Sequence, residues 1–122
     1  MLNISNKRLE RSIPFFFVDR LFDNAITNIQ IFVYPLNSKA HRDAIENLER
    51  KIEAGETLTD QYRTAYVAAY LFDKHENLLD DDKPLNVSDK EKLAELLLDE
   101  TELLNQIIEH ATKKGNWLAK TR

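Results

Sequence analysis

His41, His75 and His110 come first, because imidazole is both the commonest metal ligand and a general base near neutral pH. None lies three or four positions from another, and no H-E-x-x-H pattern occurs. Glu76 follows His75, but nothing nearby completes a metal triad. The three read as solvated or helix-end imidazoles, with His110 close to a helix C-terminus whose dipole favours a cation. Asp80, Asp81 and Asp82 raise the question of calcium. An EF-hand loop needs oxygen ligands at alternate positions, a glycine at the sixth and a glutamate at the twelfth. Counted from Asp80, Pro84 takes the fifth position and Leu85 the sixth, so that loop cannot form; the aspartates read as a solvated turn. Glu46 and Glu49 are paired carboxylates on a wet helix face, and nothing there drives their pKa values apart as acid–base catalysis requires. Two glycines cannot supply a nucleophile elbow, a Walker loop or a dinucleotide fingerprint. With no cysteine, thiolate metal sites, cysteine nucleophiles and disulfides are excluded. The expectation is no catalytic residue, no metal and no cofactor: a binding protein rather than an enzyme.

Composition agrees. The chain has 122 residues, enough for one domain, with 43% hydrophobic and 31% charged side chains. That balance excludes a wholly disordered chain and suits amphipathic helices. The absence of cysteine fits a cytoplasmic location. No apolar run approaches the roughly 20 residues needed to cross a bilayer, and MLNISNKRLERSIPFFFV lacks the long apolar stretch and cleavage site of a signal peptide. The net charge of −4 is unevenly spread: residues 73–109 hold twelve acidic and four basic side chains, and the last thirteen hold four basic and none acidic. A nucleic-acid binder needs a basic face, so neither nucleic acid nor membrane is an expected partner.

The elements that would carry a binding surface follow from pattern. Residues 13–18 (IPFFFV) and 29–34 (IQIFVY) are aromatic and β-branched, as strands are. Pro14 places the first at a strand start or a sheet edge. Asp23 and Asn24 suit the turn between them. Ser38 caps a helix whose apolar positions are Ala44, Ile45, Leu48 and Ile52, and Gly55 ends it. Glu46 and Arg50 pair along its wet side. Thr59 or Asp60 caps a second helix running to Asp73. It is apolar around most of its girth, so it belongs at the domain's centre or in an interface. Small residues Ala65, Ala68 and Ala69 allow close helix approach. HENLLDDDKPLNV reads as a polar loop. Ser88 and Glu91 then match a capping box, with Leu93, Leu96 and Leu97 apolar. Asp99 and Glu102 repeat the box, predicting a break near Leu98 and a last helix from Glu100 to Lys113. Its stripe is Leu103, Leu104, Ile107, Ile108 and Ala111. Trp117 and Leu118 would dock the tail.

What remains is apolar surface. Phe15, Phe16 and Phe17 are consecutive, and side chains alternate across a strand, so one face meets the helices and the other meets something else. A fully buried strand or a subunit or client contact would answer that. Phe32 on the second strand and Tyr66 and Tyr70 on the central helix complete the candidate interaction residues.

The order of segments between Tyr62 and Ile108 resembles the tail assembly chaperones of long-tailed bacteriophages. YRTAYVAAYLFD leads to the acidic LLDDDKPL, then VSDKEKLAELLLD and ETELLNQIIEHATKKGN. The matching positions are Ala69, Leu71 and Asp73, then Asp80 to Asp82, Pro84 and Leu85, then Ser88, Asp89 and Leu93. Upstream, Tyr34, Pro35 and Leu36 match the family's turn before its first helix. Asp82-Lys83 stands where many relatives have Asp-Gly. The resemblance spans about three quarters of the chain. It implies a chaperone that keeps the tape measure protein soluble while tail tube subunits polymerise around it. It would act in the host cytoplasm as a homo-oligomer, with the tail tube protein as a second partner, and be absent from the mature virion. The family often makes a longer frameshifted product, and this chain would be the shorter form. The competing reading is a small structural or adaptor protein, such as a head–tail connector component or helical interaction module. The expected fold is mostly α with a small β element (α+β): an N-terminal strand pair or hairpin on about four helices. Residues 1–116 would form a single domain and 117–122 a tail.

Overall fold

The computed structural model describes residues 11–20 and 25–113. The first strand, β1 (Ile13–Asp19), and the second, β2 (Ala25–Val33), form an antiparallel hairpin. The turn assigned to Asp23 and Asn24, and the tail carrying Trp117 and Leu118, lie outside the described residues. β2 begins four residues earlier than its apolar run. There the pairing slips: Phe16 faces Gln30 but Val18 faces Ile26, which leaves two extra residues on β2. Thr27 holds the irregularity, its hydroxyl donating to Phe17 O (2.8 Å) and accepting from Ile29 N (3.1 Å). Alternation survives on either side. Phe15, Ile31 and Val33 point into the core while Phe16 is 52% exposed.

Ser38 caps α1 (Lys39–Glu53) by accepting from His41 N (3.3 Å). Gly55, at φ +94°, ends it in the left-handed conformation that glycine adopts without strain. Ala44 and Leu48 are buried, but Ile45 and Ile52 are 38% and 45% exposed. The apolar stripe read from spacing is therefore only half used: α1 packs on one neighbouring helix, which needs a narrow contact.

Thr59 caps α2 (Asp60–Leu71), accepting from Tyr62 N (3.1 Å). Ala65, Tyr66, Ala68, Ala69 and Leu71 are buried, as a central helix requires. The small residues let α1 pack on one side and a later helix on the other. Where the apolar pattern suggests helix as far as Asp73, the helix stops at Leu71 and the chain turns directly into β3 (Phe72–Glu76). Tyr34 N donates to Leu71 O (2.9 Å), and β3 pairs antiparallel with β2. The first sheet thus has three strands in the order β1-β2-β3.

The supposed polar loop contains a second, two-stranded ribbon, β4 (Leu79–Asp80) and β5 (Lys83–Pro84). Asp81 and Asp82 at its tip have φ of 51° and 62°. Two successive positive φ values match a type I′ hairpin turn, and aspartate tolerates them better than most residues.

Two helices complete the core, α3 (Lys90–Asp99) and α4 (Thr101–Thr112). The cap of α3 is Asp89, whose carboxylate accepts from Lys92 N (3.2 Å), not Ser88. Ser88 is committed elsewhere: its N–H and hydroxyl both donate to Asn86 Oδ1, at 2.8 and 2.6 Å. The break between the helices falls at Glu100, close to the predicted place. Asp99 does not cap, because it is still the last residue of α3, and Glu100 makes no side-chain cap either. The buried face of α4 is Leu103, Leu104, Gln106, Ile107 and Ala111; Ile108 is only half-buried. The inner face of the sheet, α2, α3 and α4 share one hydrophobic core. The architecture is α+β, with four helices and a small antiparallel sheet among the described residues.

Candidate interaction surfaces

The candidate contact residues separate into three places. Phe15 is in the core, its ring stacked on His110 with centroids 4.0 Å apart and planes 3° from parallel. Tyr66 is also buried, 3% exposed, beneath the ammonium of Lys51 at 5.7 Å from its ring centre. Burial pushes its phenol far above the usual tyrosine value. Tyr70 is half-buried and accepts from Asn47 Nδ2 (2.9 Å). Phe15 and Tyr66 therefore belong to the interior and offer no surface. The strand's alternation places Phe15 inside, and Tyr66 lies on the side of α2 that faces the rest of the core.

Phe16 and Phe32 lie together on the outer face of the sheet. Pairing sets Pro14 opposite Phe32 and Phe16 opposite Gln30, so these share one face with Val18 and Ile26. Ile26 is 75% exposed and Phe16 52%. Lys74 on β3 sits over the Phe32 ring at 4.8 Å, a cation–π contact that half covers it.

Phe17 faces the other way and helps to line a groove between the end of the hairpin, the β4–β5 ribbon and the α3–α4 junction. Its inner part is a cavity of about 240 Å³ walled by Phe17, Ile29, Leu79, Leu85, Leu96 and Leu103. Asp80 and Glu100 stand at its margin. Through Asp80, Leu85 and Leu96 it opens into a wider trough of about 560 Å³ along α3, where Asp89, Glu95 and Asp99 face a single cation, Lys92. Spacing alone could not show this groove, because the ribbon that forms one wall reads as loop.

The histidines and the half-buried lysines make contacts within the fold. His75 Nε2 bonds to Leu85 O (2.7 Å) and its Nδ1 accepts from Leu78 N (3.4 Å), tying β3 to the ribbon. His41 Nδ1 accepts from Asn37 N (3.0 Å); burial, then Arg42, lowers its pKa. His110 is lowered by burial and next by Lys113. The dipole's preference for a cation at the end of α4 is thus outweighed by the cost of desolvating an imidazole packed on a phenyl ring. Lys51 bonds Glu91 at 2.6 Å, which raises the lysine, and Tyr62 donates to the same carboxylate (3.3 Å). Lys90 Nζ donates to Phe72 O (2.8 Å), and burial lowers its pKa. Among the described residues no three His, Asp or Glu side chains group as metal ligands would. No described helix is long and apolar enough to cross a membrane. Set beside known proteins, the chain matches no family model, no curated sequence and no solved structure.

Proposed function

We propose that this chain is a non-catalytic binding protein that shields apolar segments of a larger partner, in the manner of a phage tail assembly chaperone holding a tape measure protein. The observation that carries the reading is the outer sheet face. Phe16 and Ile26 are exposed large apolar side chains that share the sheet's outer face with the half-buried Val18 and Phe32. Isolated exposed apolar residues are ordinary, but an apolar group sharing one face is characteristic of protein contact. The resemblance between Tyr62 and Ile108 supplies the identity of the client. A holdase needs apolar area and a charged, soluble exterior, and the surface elsewhere provides that charge. Action in the host cytoplasm as a homo-oligomer, with release before the virion matures, belongs to the same proposal.

Co-expression with a tape measure protein tests it. The client should stay soluble with this chain and precipitate with a Phe16→Asp, Ile26→Lys variant, whose substitutions lie on the surface and leave the core intact. A tape measure protein equally soluble with and without the chain would sink the proposal. Size-exclusion chromatography with light scattering measures the oligomer directly.

A further inference from the structure

We infer that the groove between the β4–β5 ribbon and α3 receives a segment of a partner protein bearing a large apolar side chain flanked by lysines or arginines. The inner cavity is apolar and, at about 240 Å³, smaller than the roughly 300–1,000 Å³ of ordinary small-molecule pockets. That size suits one or two apolar side chains, with the wider trough left for the residues beside them. Leu79 at its lip is 58% exposed, so apolar surface continues to the rim.

Charge selects the occupant. Asp80, Glu95, Asp99 and Glu100 border the two halves of the groove, and Lys92 is the cation among them. Asp89 is already engaged in capping α3. Among the described residues Asp80, Asp99 and Glu100 take part in no ion pair. A cationic guest would therefore meet carboxylates with no ion pair to give up. The trough follows α3 from Asp89 to Asp99, about 15 Å of helix, long enough to place basic residues beside the seated anchor. An acidic segment of equal hydrophobicity would meet mostly like charge along the rim, with Lys92 the exception. This is the helix-or-peptide-in-groove mode, with an apolar anchor for affinity and charge for register.

The inference rests on the binding-protein reading, but its test needs no tape measure protein, so the two can fail separately. The probes are a fluorescent synthetic peptide with a Leu-Phe anchor between lysines and its counterpart with glutamates, titrated against the full chain. The lysine peptide should bind, weaken by about tenfold or more when Asp80→Lys and Asp99→Lys are combined or salt is raised to screening levels, and keep its affinity in the Phe16→Asp, Ile26→Lys variant. Both charge-reversed positions are exposed, and circular dichroism checks that the fold is kept. Equal binding of the two peptides would overturn the inference, as would binding indifferent to Asp80 and Asp99. Trp117, the chain's single tryptophan, supplies a third readout. If its emission shifts to the red on peptide addition or in the charge-reversed variant, the chain's own residues 114–122 occupy the groove and the partner assignment is wrong.

Discussion

Gln106 gives the sharpest stability prediction. It is 2% exposed, in the middle of α4, and its amide pairs with the backbone of Val18 like a neighbouring peptide group. Nε2 donates to Val18 O at 2.7 Å, and Oε1 accepts from Val18 N at 3.0 Å. Leucine in its place fills similar volume but strands both backbone groups. Each lost bond is worth about 0.5–1.5 kcal/mol net, and water can reach the half-buried Val18 only in part. Allowing for the added apolar burial, Gln106→Leu should destabilise by about 2 kcal/mol. In a chain of this size that is roughly 8 °C in melting temperature. Gln106→Glu supplies the control. A neutral carboxyl can donate to Val18 O and accept from Val18 N, whereas a carboxylate repels the carbonyl. Buried at this position, the introduced carboxyl would have a raised pKa, so its stabilising contribution is complete below its unfolded value of about 4.3 and is lost as pH rises through the folded value. Holding it protonated at pH 7 costs up to about 3.7 kcal/mol at 1.36 kcal/mol per unit. At pH 7 the order of stability should be glutamine, leucine, glutamate. Glutamate should overtake leucine below about pH 5.8, where its protonation cost falls under the 2 kcal/mol leucine loss. Urea midpoints of the three proteins across pH provide the assay. A leucine variant within about 0.5 kcal/mol of the parent, or a glutamate variant whose deficit does not shrink on acidification, would refute the reasoning.

Three further outcomes follow from single contacts. Asp82→Gly should raise stability by about 0.5 kcal/mol, seen as a higher urea midpoint, because relief at φ 62° exceeds the added unfolded-state entropy; a lower midpoint would show that the aspartate is not strained. Lys90→Met should lower stability by about 1–2 kcal/mol in thermal melts, since Phe72 O loses a charged donor at the end of α2; an unchanged melt would show that water replaces the ammonium. His110 is neutral-favoured in the fold by burial, then by Lys113 and Arg20, with Glu109 opposing. Its contribution is therefore intact above pH 6.5 and declines as pH falls below that value, where the unfolded imidazole takes up a proton first. His110→Phe, which keeps a ring on Phe15, should flatten the acid-side slope of stability; His41, shifted the same way, leaves a residual slope.

Much of the fold was legible wherever one local rule decided the outcome. Ser38, Thr59 and Gly55 mark helix ends because a cap's chemistry lies within three residues of it. The apolar circumference of α2 pointed to the domain's centre or an interface, and the buried Ala65, Tyr66, Ala68, Ala69 and Leu71 place it at the centre. What stayed hidden depends on partners that no single local rule picks out, some of them far along the chain. β3 has only Phe72 and His75 facing inward, too little alternation to outweigh the helical pattern before it; pairing with β2 decides it. The ribbon carries Pro84 and charged residues and is held by His75, so the wall of the groove is set by a side chain outside the ribbon that no capping or alternation rule singles out. Ser88 satisfied the capping pattern, yet Asn86 claimed its hydroxyl and left Asp89 as the cap. Gln106 gave no signal, because a glutamine among leucines looks like the wet side of a helix until a strand edge is placed against it.

That strand edge bears on how this protein would meet others. β1 is an outer strand, and Phe17 O turns inward to Thr27, so by alternation Pro14, Phe16 and Val18 aim their backbone groups outward. Pro14 has no N–H to offer, and Gln106 takes both groups of Val18. Only Phe16 keeps a free pair, too little to seed a further strand. Among the described residues, edge-to-edge growth along β1 is thus disfavoured while the outer face keeps Phe16 and Ile26 exposed. On the proposed binding reading, a partner on this side would lie across the sheet and use side chains rather than add a strand to β1. The Gln106 variants separate these modes. Gln106→Leu, whose leucine still covers the Val18 edge, should leave face binding unaltered, whereas Phe16→Asp should abolish it. If Gln106→Leu instead weakened the client complex while staying monodisperse, docking would run along the edge, and the face would be the wrong surface.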